Sequence, residues 1–508
     1  MDESIPILIQ SDSTEQDVPK PESFDEIIEK SLRHFGWQQF SQSFFVSLTG
    51  FFEAQQAFIG IYTDANPAWH CNNSTICSSG SDICKLPKSA WSWDGPSSQS
   101  IISQWGLECA SSFVAGLPQS SFFVECLTGG ILLSSAADSS LGRRNLLVLC
   151  CFMMSLASFA IVFSTNVWIY SALKFLIGFF RSTIGTCALV LQAEKVSREW
   201  RFRMGTLTLF SFALGFLSLP AIGYVNKDSS WKYLYLWTSI PAICYSIFAC
   251  YFVTESPRWL FMQGRQEEAM AIIKGTAPTE DGAKLSASLL EMPLKPSAPS
   301  AVYYSSMIKL FKKRWASQRI LAAIVITFGI GMVYYGMPLG LGHLGFDIYL
   351  SVTFNALIEI PSFAVTYFLE NCRRRYSLLA FTSISGICSI LSVVVGNNGL
   401  KGAKIWLELA SFFSVRVACN VSLIHIIEVF PTCVRNTSTA LARQAIAFGA
   451  IFGPFLVAAA RKNDLFSYGV FGVVIFCSGI FVAYLPETKG VALSDTMEQQ
   501  EYKEINTV

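Results

Sequence analysis

Twelve stretches of about 20 mostly apolar residues, the length an α-helix needs to cross the hydrocarbon core of a bilayer, dominate this chain. They lie near 40–62, 116–137, 145–163, 168–191, 204–225 and 232–253, and again near 319–341, 347–369, 377–396, 403–426, 438–459 and 466–486. The apolar residues come as continuous runs and not as one stripe per helix, which leaves no face for water. Hydrophobic residues make up 52% of the 508 and charged residues 14%, against roughly 25% charged in a soluble domain. The chain therefore reads as an all-α membrane protein with twelve transmembrane helices in two six-helix repeats. A net charge of +1 gives nucleic acid no electrostatic footing. The first 39 residues are polar, acidic and rich in Ser and Pro, with a short amphipathic helix expected near 24–40. No cleavable signal peptide is visible, so the first span is expected to serve as its own insertion signal.

Lys and Arg in the short loops divide unevenly between two sides. One side holds Arg143, Arg144, Lys195, Arg198, Arg201, Arg203, Arg373, Arg374, Arg375 and Arg435; the other holds Lys227, Lys401, Arg461 and Lys462. This bias predicts a cytosolic tail 1–39, central loop 254–318 and C-terminal tail 487–508, and a non-cytosolic loop 63–115. That loop carries Cys71, Cys77, Cys84 and Cys109. An oxidising compartment would join them in any of three pairings, and the sequence does not choose among these or free thiols. Asn72-Asn73-Ser74 and Asn73-Ser74-Thr75 are overlapping glycosylation acceptors, usable only on that side. Only His70 accompanies the cysteines and the spacings are irregular, so no metal is expected. In the central loop, 263–274 and 303–315 have helical apolar spacing, with Pro293, Pro296 and Pro299 as a linker between them.

The two six-helix sets, 40–253 and 319–486, repeat each other's charges. Asp138-Ser-Ser-Leu-Gly142-Arg143-Arg144 follows the second span and Glu370-Asn-Cys-Arg373-Arg374-Arg375 the eighth. Glu194 and Arg201 follow the fourth span, and Glu428 and Arg435 the tenth. Arg181 and Arg416 precede them inside those spans. Glu255-Ser-Pro-Arg258 follows the sixth span and Glu487-Thr-Lys489 the twelfth, and the repeated acids and the arginines inside the spans are offset by 232 to 235 residues. An acid and an arginine at neighbouring helix ends can pair, closing one face in one state and parting in the other, as repeated halves rocking about a central site require. Asp138, Gly142, Arg143, Arg144, Glu194, Arg201, Glu255, Arg258, Glu428, Arg435 and Glu487 form this expected gating set. The plainer reading makes each a static charge at the headgroup level.

The same residues carry a family resemblance. Residues 138–144 resemble the loop between the second and third spans of major facilitator proteins. Glu255-Ser256-Pro257-Arg258-Trp259-Leu260 is similar to the organic ion and sugar transporter branch. Glu428-Val-Phe430-Pro431-Thr-Cys-Val-Arg435-Asn436, with Leu485-Pro486-Glu487-Thr488, resembles the organic cation/carnitine transporters, as does the cysteine-bearing loop. Trp69-His70-Cys71 and Ala442-Arg443-Gln444 look most like the plant members. The resemblance covers about residues 36–495, and the second Asp-Gly-Arg loop departs from its pattern. It implies the major facilitator fold and alternating-access transport of organic cations and zwitterions such as carnitine, in the vacuolar or plasma membrane.

A charge at mid-membrane costs about 2.5–3.5 kcal/mol. Glu53, Glu125, Arg181, Glu359, Arg416 and Arg443 are therefore expected to face a cavity or one another. Glu359 stands beside Pro361, where the helix is expected to bend, and the resemblance implies a cation-recognising acid at this Glu-Ile-Pro. A quaternary ammonium has no hydrogen to donate, so aromatic faces must share its recognition. Tyr334, Tyr335, Phe354 and Trp237 are the candidates. Many cation transporters of the family have an aspartate at the position of Ala447, and anion and carnitine carriers often have an arginine. Arg443 lies one turn earlier on that face and is expected to hold the carboxylate of a zwitterion. A proton or sodium ion is the expected coupling partner, with Glu53, Glu125 or Glu359 as proton acceptors. Gly178-Phe-Phe-Arg-Ser-Thr-Ile-Gly185-Thr186 lacks the lysine of a nucleotide loop, and no Ser/His/Asp set shares a face, so neither enzyme activity nor a cofactor is expected. A proton-coupled sugar carrier of the same fold and a non-transporting receptor or sensor are the alternatives.

Overall fold

The computed structural model describes residues 32, 35–72, 77, 82–137, 141–276, 307–344, 346–397, 401–460, 466–489 and 497–505. Its long helices are α1 Trp37–Phe58, α2 Ser112–Ala137, α3 Arg143–Ala160, α4 Val167–Lys195, α5 Arg198–Val225 and α6 Lys232–Phe252, then α7 Arg314–Leu339, α8 Ile348–Phe368, α9 Arg374–Asn397, α10 Lys401–Val429, α11 Thr432–Ala459 and α12 Phe466–Ile480. Eleven segments are long and apolar enough to cross a membrane among the described residues, and α2, of 26 residues, occupies the remaining expected position. Several helices outrun the apolar stretch that announced them. α5 starts at Arg198 where hydropathy put its span near 204, and α11 starts at Thr432 where it was put near 438. The extra turns carry polar and charged residues, which an apolar window excludes although they continue the helix beyond the hydrocarbon.

The ends have identifiable chemistry. The Asn166 side chain accepts from the Trp168 and Ile169 N–H groups and starts α4. Asp347 does the same for α8 through Leu350 N–H. Ser256 caps a short helix, Pro257–Met262, that has proline in its first turn. Such oxygens satisfy N–H groups that have no partner inside the helix.

Each half repeats the other's packing. α1 lies along α5 as α7 lies along α11; α2 packs on α4 as α8 does on α10. α3 contacts α4 and α6 as α9 contacts α10 and α12. Two of the close approaches use glycines at equivalent places. A Cβ at Gly215 would lie 2.1 Å from Phe51 O, and one at Gly449 would lie 2.0 Å from Phe328 O. Small residues let backbones approach where lipid supplies no hydrophobic drive between helices. The halves meet along α2–α11 and α5–α8.

One end of the molecule, here the loop face, carries a two-stranded antiparallel sheet of β1 Trp69–Cys71 and β2 Trp91–Trp93. Cys71 is bonded to Cys77 and Cys84 to Cys109. The Asn72 side chain accepts a hydrogen bond from Ser92 Oγ at 2.8 Å, and Asn73 lies outside the described residues. The opposite end, the arginine face, carries Pro257–Met262, a helix Gln266–Thr276 and the C-terminal helix Met497–Ile505. Lys313 Nζ meets Glu501 there at 2.7 Å. Of the expected 303–315 helix, 307–312 and the residues from 314 are helical. The linker prolines and most of the expected tail helix 24–40 lie outside the described residues.

Candidate functional site

On α8 the residues one turn apart separate cleanly. Leu350, Phe354, Leu357 and Pro361 are exposed on one side, while Ser351, Asn355, Glu359 and Ser362 are buried on the other. α8 stays helical through Pro361. The Tyr334 hydroxyl donates to Glu359 Oε1 at 2.7 Å, and Arg416 Nε lies 2.9 Å from Oε2. The Arg416 guanidinium sits 5.1 Å from the centre of the Tyr334 ring and 5.2 Å from that of Phe363. Glu359 is 0% exposed, so its charge depends on this arginine and this hydroxyl for stability. Three helices, α7, α8 and α10, hold the group.

The first half carries a matching arrangement. Arg181 Nη2 lies 3.1 Å from Glu53 Oε1, and its guanidinium is 5.3 Å from the centre of the Phe122 ring. Arg181 also takes Tyr335 of the second half as a hydrogen-bond partner. Tyr334 and Tyr335 have ring centres 4.8 Å apart and so join the two ion pairs at the junction of the halves. Phe58 stacks on Tyr335 at 5.9 Å, and Phe123 lies 4.9 Å from it. Arg443, exposed in the interior of α11, reaches Thr186 Oγ1 at 3.5 Å and interacts electrostatically with Glu53. Anionic and cationic groups with aromatic faces thus converge where the halves meet.

Two expected members do not join them. Phe354 is 41% exposed and Trp237 57%. Phe354 stands five residues from Glu359, which a 3.6-residue turn places on the far side of α8. Trp237 shares the outer face of α6 with Tyr233 and Ile240, as aromatic residues facing lipid or headgroups do. The side chain of Glu125 lies outside the described part.

On the arginine face the charges form two equivalent networks, each inside one half. Glu255 Oε1 accepts the backbone N–H of Arg144 at 3.0 Å, and Arg143 Nη2 lies 3.6 Å from Glu194 Oε1. Glu487 Oε1 accepts the N–H of Arg374 at 2.9 Å, and Arg374 Nη2 lies 3.2 Å from Glu428 Oε1. Both carboxylates therefore sit at a helix N-terminus, on α3 and α9, where the macrodipole favours negative charge. Gly142 admits Glu255: its φ is +83°, and a Cβ there would lie 2.3 Å from Glu255 Oε2. Arg201 Nε donates to Ala193 O at 3.0 Å and Arg435 Nε to Phe430 O at 3.3 Å. Arg258 is half-buried on Pro257–Met262, and Asp138 lies outside the described residues. In this conformation Arg143–Glu194 and Arg374–Glu428 each join neighbouring helix ends within one half.

Contact between the halves concentrates towards the loop face. Tyr62 stacks on Tyr349 at 5.5 Å and Phe113 on Phe455 at 5.6 Å. Ser120 Oγ donates to Ile451 O at 2.9 Å. Above the Tyr62–Tyr349 contact a vestibule of about 460 Å³ is lined by Asp64, Gln119, Lys227 and Pro454 among others. The Tyr170 hydroxyl donates to Asp64 Oδ1 at 2.7 Å. Burial pushes the Asp64 carboxyl above its ordinary range, opposed by nearby Lys174.

Lys174 and Glu408 were not singled out from the sequence, yet they are 0% and 1% exposed. Lys174 donates to Gln119 Oε1 at 3.3 Å and is ringed by Phe122, Tyr170 and Tyr235 at 5.6 to 5.8 Å. The two lie 234 residues apart (408 − 174), the repeat's own offset. Charge inside an apolar run was the signal that could have found both.

Comparison with known proteins agrees with this architecture. The family model described as sugar (and other) transporter matches residues 32–499. The chain is 49% identical to organic cation/carnitine transporter 3 of Arabidopsis thaliana, over 99% of this chain and 98% of that protein. It is likewise 49% identical to organic cation/carnitine transporter 2 of the same plant, over 98% and 97%. Among solved structures, the inward-open conformation of the xylose transporter XylE from E. coli superposes with a TM-score of 0.65 at 16% identity, covering 92% of this chain and 99% of that one.

Proposed function

Because the chain belongs to the sugar (and other) transporter family of the major facilitator superfamily, among the organic cation/carnitine transporters, we propose that it carries organic cations and zwitterions such as carnitine by alternating access. It is a multi-pass membrane transporter and not an enzyme. The observation that carries the substrate reading is the Glu359–Tyr334–Arg416 group beside Tyr335, at the junction of the halves. A quaternary ammonium entering there meets a carboxylate and aromatic faces, and each cation–π contact contributes about 0.5–2 kcal/mol. Arg416 already neutralises Glu359, so the incoming cation must share the carboxylate with it or draw Glu359 away. Arg443, exposed between the halves, is the group for a substrate carboxylate.

The arginine face is the cytosolic one in this reading, following the loop charge bias. The Glu255 and Glu487 networks keep each half rigid while it rocks, and Arg143, Arg144, Glu194, Arg201, Arg258, Glu428 and Arg435 serve that bracing. Asn72 is a glycan acceptor on the lumenal or external side. The coupling ion is a proton or sodium, and the membrane is the vacuolar or plasma membrane, which a fluorescent fusion with the tail intact would distinguish.

Purified protein in proteoliposomes tests the substrate class directly, with radiolabelled carnitine, a polyamine and glucose offered separately. Uptake and counterflow of carnitine or the polyamine, with none of glucose, is the expected result. Glucose uptake alone would make the chain a sugar carrier, and binding without counterflow would make it a sensor.

A further inference from the structure

Glu408 of α10 lacks the compensation that the other buried charges enjoy. Asn355 Nδ2 donates to Glu408 Oε2 at 3.3 Å, while Oε1 is buried with no hydrogen-bond partner. The same amide hydrogen-bonds Ser351 O at 3.1 Å, and Asn355 Oδ1 is itself buried and unpartnered. From α12 the Tyr468 hydroxyl is near enough to interact electrostatically, but it donates to Met337 O of α7 at 3.2 Å. α9 contributes Ser385, engaged with Ser411 of α10. Lys404 stands one turn earlier on α10, and no Lys, Arg or His lies within ion-pair distance of Glu408 among the described residues. Glu53 and Glu359, by contrast, each have an arginine. Lys174, at the equivalent place in the first half, has Gln119, three aromatic rings and nearby Asp64.

An isolated ionised carboxylate in such surroundings is disfavoured so strongly that the group takes up a proton instead. Protonation also supplies a donor to a site whose two unpartnered atoms, Glu408 Oε1 and Asn355 Oδ1, are both acceptors. We propose that Glu408 is a proton-binding site of the transport cycle, loaded in the conformation closed on the loop face. When the cycle opens the α8–α10 contact to water, the O–H bond breaks, the proton passes to water and the carboxylate remains; the reverse step reloads it. α8 links this site to the substrate group, since Asn355 and Glu359 stand one turn apart on its buried face. A shift of α8 on substrate binding therefore alters the Asn355–Glu408 contact as well. This inference rests on the transporter reading above.

The test uses the full chain in proteoliposomes with radiolabelled carnitine, comparing uptake under an inward-directed proton gradient with counterflow under none. Wild-type uptake should rise with the gradient and lose that rise when an ionophore collapses it. Glu408→Gln should keep counterflow while its ratio of uptake with and without the gradient falls to one. Undiminished gradient stimulation in Glu408→Gln overturns the proposal and leaves the transporter reading intact, as does wild-type counterflow indifferent to pH. No counterflow in the wild type overturns both. Should Glu408→Gln fail to fold, infrared spectra of wild type and Glu408→Asp at neutral pH decide. A protonated-carboxyl band that shifts between the two supports the proposal, and its absence from the wild type, or a band that does not move, contradicts it.

Discussion

Removing one partner of a buried ion pair costs more than removing both, because the survivor keeps an uncompensated charge. Glu359→Gln leaves Arg416, only 7% exposed, without its counter-charge, and should lower stability by about 3–5 kcal/mol. Thermal unfolding should show that loss largely recovered in Glu359→Gln/Arg416→Gln, while cation uptake stays at background. A double variant that transports normally would remove Glu359 from the substrate site. Arg443→Ala should raise the KM for carnitine about tenfold, some 1.4 kcal/mol, and leave a cation lacking a carboxylate unaffected. Equal effects on both substrates would make Arg443 structural. At this scale the charged residues were legible because an ionised group in an apolar run is costly wherever it stands. Aromatic residues gave no such signal: lipid, headgroups and cavity all accept them, so Trp237 and Phe354 pointed nowhere until the helix faces were known. Lys174 and Glu408 carried the same signal as Glu359. They were not among the six charges expected to face a cavity or one another, and only their place in the fold shows that one is compensated and the other is not.

Among the helices, the repeated carboxylates matter through backbone and not through side-chain pairing alone. Glu255→Gln and Glu487→Gln should each cost up to about 2 kcal/mol, the range for a partly buried charge at a helix end, read as similar drops in melting temperature. A large loss for one and none for the other would show that the two networks are not equivalent. The spacing of the repeat revealed which acids correspond. It could not reveal that they cap α3 and α9, because the contacts join residues 111 and 113 apart in sequence. Helix boundaries on the arginine face were misjudged for the related reason that hydropathy reports hydrocarbon and not hydrogen bonding. The cysteine loop shows the same limit, since four cysteines in one loop offer three pairings or free thiols and the sequence does not choose among them. Non-reducing peptide mapping should recover Cys71 with Cys77 and Cys84 with Cys109, and any crossed pair would contradict the loop geometry.

For the whole molecule, twelve apolar runs and one repeated charge pattern were enough to foresee two homologous bundles. They could not show which face is closed, since that depends on a few contacts between rigid bodies, such as Tyr62 on Tyr349 and Ser120 on Ile451. The bracing networks lie within the halves and the substrate group lies between them, which is the arrangement a rocking mechanism needs. Pulsed electron spin resonance between labels across the halves tests that claim most directly, with one pair at Phe113 and Phe466 on the loop face and another at Arg203 and Tyr376 on the arginine face. Substrate should lengthen one distance and shorten the other. Two distances that stay fixed, or move in the same sense, while uptake proceeds would contradict alternating access by these two bundles.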